Sequence, residues 1–373
     1  MYQPCPEPVP GRDRGLWLAY AGAMPDPGPI PAVARPASPP GEPRATGGRL
    51  GLRAAWLGGT LLLTVGALPV VLALAPADGT APGSVLGGLL FLGSSVHVAG
   101  TGWFYTVPEV RRHIATRRAR YVAAPVALVV GTAVLAAAVP QRPFELLLLP
   151  YFGWQFFHFQ KQNLGLSALA SAACGTGTLR QGERRAVTFA GVFGIAGLIS
   201  HPALLQLADV PRQGLAFPLA AAGYAAAVGY GVVQLLRRAP DQRRPAASGL
   251  YLMALLFFLP VFLFQSPYAA VAALTLAHGY QYLLIVGLVA GGGSGPRPVR
   301  LVSLAVLVNI ALLLGLALNL ASHLHTGDPA ARAVYGAYLG VTMAHFVLDA
   351  GLWRLRDTFP REFLARRLPY LLG

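Results

Sequence analysis

The chain has 373 residues, of which 55% are hydrophobic and only 12% charged. That is about half the charge of an ordinary soluble domain and excludes a soluble enzyme carrying a small anchor. The net charge of +15 resembles a nucleic-acid footprint, but the basic residues sit in short connections between apolar runs and not on one face, which excludes nucleic acid as the partner.

Residues 1–50 come first and differ from the rest. From Pro25 to Pro43 the chain is dense in Pro, Gly and Ala and has no apolar period, so a disordered tail is expected. No apolar core precedes a small-residue cleavage site, so this is not a signal peptide, and Met24 offers an alternative start. Residues 51–356 then hold about ten apolar runs near the roughly 20 residues that a bilayer-crossing helix needs. The predicted helices are 54–75, 84–107, 121–139, 145–173, 186–203, 214–236, 249–266, 268–290, 299–321 and 332–354. Pro- and Gly-rich turns separate them, as from Pro140 to Pro143 and from Gly291 to Pro298. Residues 357–373 form a basic C-terminal tail. The two cysteines, Cys5 and Cys174, offer neither a disulfide framework nor a metal spacing.

Arginine orients this array. The connection 111–120 carries Arg111, Arg112, Arg117, Arg118 and Arg120, and every second connection after it is also basic. With the segment before the first helix and the C-terminal tail, one side holds about 22 basic residues. The other holds only Arg142, Arg212 and Arg332. The expected fold is therefore all-α, a polytopic integral membrane bundle of about ten helices with both termini cytoplasmic. A bacterial inner membrane is the simplest host.

Four histidines interrupt the apolar runs: His97, His158, His278 and His345. An ionisable residue inside a membrane segment is a functional-site hypothesis by default. All four fall on even-numbered helices running the same way. At 1.5 Å per residue they lie roughly 15–20 Å below the outer surface, so one shared site is expected. Each has polar company at helical spacing. His97 has Thr101, His158 has Gln155, Lys161 and Gln162, His278 has Thr275 and Gln281, and His345 has Thr342 and Asp349. Asp349, four residues after His345, is expected to ligate a metal directly or to orient a ligating histidine; pairing with an arginine is its structural alternative. Asp349, Gln162 and Gln281, with Gln155, are the candidates for positioning water, dioxygen or substrate. Among the others, Lys161 is expected to snorkel to the headgroups and Glu109 to pair with nearby arginines. His113 reads as a bystander, and His201, His323 and His325 as solvated.

Converging neutral imidazoles in a dry interior suit Fe, Zn or Cu. Iron would give dioxygen chemistry on a lipid-soluble small molecule, or membrane lipid, reached from within the bilayer. Paired histidines could instead hold haem, and midplane His, Asp and Lys could build a proton-coupled transporter. The intramembrane H-x-x-x-D of His345 to Asp349, with histidines on several helices, resembles the polytopic histidine-ligated iron enzymes of bacterial membranes, such as carotene-cleaving dioxygenases and the desaturase and hydroxylase families. The likeness covers single positions, and the H-x-x-H-H boxes of desaturases are missing. It implies an oxidoreductase acting on a lipid-like or isoprenoid substrate, with the four histidines as metal ligands.

Overall fold

The computed structural model describes residues 46–76, 81–207, 209–325 and 327–372. Most of the segment read as a tail, residues 1–45, lies outside the described residues. The described chain is helical throughout, with no strand among those residues.

In chain order the helices are α1 (Thr46–Leu74), α2 (Ser84–Thr106), α3 (Pro108–Thr116), α4 (Ala119–Ala138), α5 (Gln141–Ala173), α6 (Gln181–Ser200) and α7 (Ala216–Leu236). Then come α8 (Pro245–Leu256), α9 (Leu259–Leu263), α10 (Tyr268–Gly291), α11 (Arg297–Ser322), α12 (Pro329–Leu352), α13 (Thr358–Arg367) and α14 (Pro369–Leu372). Every predicted run is helical, with three differences. The run 249–266 is broken at Phe257–Phe258, because Pro260 lacks the N–H that would continue the ladder. The basic connection 111–120 contributes to a short helix, α3, opened by Pro108. The C-terminal segment is folded: Phe363, Leu364, Leu368 and Leu371 are buried against the bundle.

Six of these helices, α1, α2, α4, α7, α10 and α11, are long and apolar enough to cross a membrane. Their burial separates their roles. Some 72% of the apolar window of α10 is buried, against 11% for α4 and 17% for α11. So α10 is the central pillar, while α4 and α11 turn leucine and valine outward, as lipid contact requires. α5 and α12, of 33 and 24 residues, carry further polar residues of the interior, among them His158, His345 and Asp349.

Glycine allows the closest approaches. A Cβ on Gly279 of α10 would overlap the carbonyl of Gly93 in α2, and one on Gly336 or Gly340 of α12 would overlap the α4 backbone. Small residues at such crossings let helices touch backbone to backbone.

The arginine-rich connections meet at one end of the bundle. Arg53 donates to the carbonyls of Ala173 (2.8 Å) and Tyr370 (3.3 Å). Arg180 donates to the Arg237 carbonyl (3.2 Å) and to Gln242 (3.0 Å). Arg117 faces Asp357 at 3.9 Å. Beneath them Arg238 makes a buried, bidentate pair with Glu183 and also reaches the Thr176 and Thr178 carbonyls. The Glu183 hydrogen bonds hold the Arg238 guanidinium above its usual pKa, outweighing burial. At the opposite end Arg332 donates to the Val139 carbonyl and lies over Phe144.

Candidate metal centre

α2 changes its winding where the site begins. A π-turn runs from Leu92 to Val96, His97 follows at once, and the helix tightens to 3₁₀ from Thr101. Such π-turns re-aim side chains and recur at functional sites. Here the turn packs on α10 through the Gly93–Gly279 approach, which seats His97 against His278.

The four imidazoles form a closed ring. Ring centroids are 5.0 Å apart for His97–His278, His278–His158 and His158–His345, and 5.1 Å for His345–His97. Adjacent planes are tilted by 71–89°, so the rings meet edge to face and do not stack. With metal–nitrogen bonds near 2.1 Å, an imidazole centroid sits about 3.2 Å from its ion, and tetrahedral ligands have centroids about 5.2 Å apart. The spacing of neighbouring rings is close to that of adjacent ligands on one ion, and the ligand atoms fall into two triads that share His345. Ligand atoms of His97, His278 and His345 lie within 4.8 Å of one another, and so do those of His158, His345 and Asp349.

Two aromatic side chains hold the ring in place. Phe159 stacks on His278 at 3.9 Å and 16°, and Phe346 stacks on His158 at 4.6 Å and 26°. Each of these phenylalanines directly follows a site histidine, and each stacks on the imidazole of another helix.

A hydrogen-bonded chain orients one edge. His345 Nδ1 is 2.6 Å from Thr101 Oγ1, which is 2.6 Å from the Tyr282 hydroxyl. Tyr282 donates to Asp349 Oδ1 at 3.0 Å. With Nδ1 engaged, His345 presents Nε2 to the centre. Asp349 Oδ2 lies 3.7 Å from that Nε2 and 3.8 Å from His158 Nε2. Among the described residues Asp349 pairs with no arginine; the arginine-side pair nearby is Arg354 with Asp357.

What remains is a set of buried ring nitrogens without a well-formed hydrogen bond: both of His278, Nε2 of His158, Nε2 of His345 and at least one of His97, whose ring also lies by the Gly93 and Ser94 carbonyls. A buried unsatisfied polar group costs about 1–3 kcal/mol. One on each of four rings comes to about 4–12 kcal/mol, comparable to the whole stability of a typical domain. A shared cation would satisfy all four rings at once, and structural metal sites return about 10–16 kcal/mol. The donor set and the orphaned nitrogens therefore fit a transition metal.

The remaining predicted residues are placed as follows. Gln162 donates to the His278 carbonyl (2.9 Å) and to Gln281 (3.1 Å), and Gln281 donates to Thr64 (2.6 Å). Both amides thus tie α5, α10 and α1 together beside the ring. Gln155 keeps a buried, unpartnered Oε1 on the His158 face of α5. Lys161 lies over Phe157 at 4.9 Å, and Glu109 pairs with Arg366 at 3.8 Å. His113 stacks on Phe359 at 4.1 Å, and burial beside Arg117 lowers its pKa. His201 is buried against Phe217, contrary to the solvated expectation, because the Pro202–Leu205 turn folds back over the bundle end. His323 is exposed and bonds the Asn319 carbonyl. Tyr282, Phe159 and Phe346 were not anticipated. Tyr282 follows His278 by four residues, the spacing that flagged Thr101 and Asp349, and that signal could have found it.

No protein-family model, curated protein or solved structure matches this chain.

Proposed function

We propose that His97, His158, His278 and His345 bind one first-row transition metal, with Asp349 as a fifth donor or as a carboxylate orienting the ring. The protein is then a membrane-embedded oxidoreductase. The observation that carries this reading is the closed ring of four buried imidazoles with unpartnered nitrogens on every member.

Iron is the first choice. Imidazoles with one carboxylate oxygen suit it, and it brings dioxygen chemistry to an apolar substrate. The protein's own residues supply the rest. Thr101 and Tyr282 fix the His345 ring, Tyr282 donates a hydrogen bond to Asp349 Oδ1 and leaves Oδ2 to face the ring, and Phe159 and Phe346 shield the imidazoles from water. The substrate is lipid-like or isoprenoid, because the centre is enclosed by apolar helices.

The ten-crossing topology, with both termini on the arginine-rich side in a bacterial inner membrane, belongs to the same proposal. It is supported by the meeting of alternate connections at one end. Haem is disfavoured by space. A porphyrin ligated by two of these histidines would spread through the other two, whose centroids are 5.0–5.1 Å away.

Elemental analysis of detergent-purified protein tests the reading. One iron per chain is expected, with no Soret band. Folded but metal-free wild-type protein ends it.

A further inference from the structure

At the arginine-rich end, lined by none of the four site histidines, lies an open groove of about 460 Å³. It runs between the end of α2, the start of α3, the Gly292–Gly295 loop, the first turns of α11 and the end of α13. Its volume is that of a small-molecule site and exceeds what a bare inorganic anion fills.

Its two sides differ in chemistry. Arg300, Arg366 and Arg367 form the polar side, opposed only by Glu109. The Arg366–Glu109 pair is 3.8 Å long with both side chains roughly half exposed, so it is a weak competitor. Arg367 reaches the Gly292 carbonyl at 3.5 Å. Arg300 Nε is buried with no partner. Arg297 and Arg300 occupy the first turn of α11, which has no acidic residue. Cations there oppose the positive end of the helix dipole, and an anion would relieve them.

The other side is apolar. Val299 and Val302 are 61% and 62% exposed, and the same helix continues outward with exposed Leu313, Leu316 and Leu320. A free phosphate has no use for that surface, whereas an acyl chain does.

We infer that this groove binds one anionic phospholipid. The phosphate sits among Arg300, Arg366 and Arg367, and an acyl chain lies along the valine and leucine face of α11. The inference rests on the membrane-spanning part of the reading above and is independent of the metal. A metal-free protein that selects anionic lipid leaves it standing, while a protein soluble without detergent removes the membrane reading itself.

The test is native mass spectrometry of the full chain in detergent, titrated with phosphatidylglycerol or phosphatidylcholine. The wild type is expected to retain one phosphatidylglycerol at least tenfold better than phosphatidylcholine. In Arg300→Gln/Arg366→Gln that ratio falls to near one while metal content is unchanged. Equal retention of the two lipids by the wild type overturns the inference. So does a double variant that keeps the preference, or displacement of the lipid by millimolar inorganic phosphate, which marks a free-anion site. Should the double variant fail to fold, the wild-type ratio alone decides.

Discussion

Gly279→Ala tests whether helix spacing sets the metal geometry. The new methyl would overlap the Gly93 carbonyl, and relieving that contact requires α2 and α10 to part by roughly 1 Å. His97 and His278 ride on those two helices with ring centroids 5.0 Å apart. Ligand distances tolerate only about 0.2 Å, so a displacement several times larger cannot be absorbed by the bonds. For the fold, overpacking costs about 1–3 kcal/mol, and the helix preference of alanine over glycine returns about 1 kcal/mol. The variant should therefore remain folded, lose about 2 kcal/mol, the upper end because the overlap is with backbone, and purify with little metal. Gly287→Ala, on the same helix with nothing within 4 Å of the added methyl, should keep full metal content. Elemental analysis and thermal denaturation of the pair measure both quantities. If Gly279→Ala holds as much metal as the wild type, close packing of α2 on α10 does not govern the centre.

Other consequences follow from the same contacts. His345→Ala should abolish metal content, whereas His323→Ala, on the exposed end of α11, should not change it. Tyr282→Phe removes the donor to Asp349 and the Thr101 contact; a fall of about 10–100-fold in metal affinity is expected, measured by chelator competition. Arg238→Ala strands the fully buried Glu183 carboxylate and should cost about 3–5 kcal/mol in denaturant unfolding, with the metal centre intact in the folded fraction.

The four histidines were legible because a titratable side chain inside an apolar run is rare and the arginine pattern placed all four at one level. Their partners were less legible. Tyr282 carried the four-residue spacing from His278, but the two stacking phenylalanines are ordinary residues of an apolar helix, and only their neighbours across the bundle single them out. The π-turn before His97 has no composition of its own: Leu92–Val96 reads like any helical stretch. Gly93 and Gly279 are hidden among 44 glycines, most of which could be the site of a close crossing. Gln162 and Gln281 drew notice as polar residues beside histidines, but periodicity cannot tell a side chain facing the centre from one facing an adjoining helix. The break at Pro260 was written in the chain, yet apolar content on both sides masked it.

α12 supplies His345 and Asp349 and is the last long helix of the chain. Its seat on α4 depends on Gly336 and Gly340, so the fourth imidazole arrives only when that crossing closes. During synthesis the earlier helices therefore wait with three unmatched imidazoles. On the proposed metal reading, loading of the ion would belong to the final stage of assembly, and a protein cut short before residue 345 would lack the fourth imidazole.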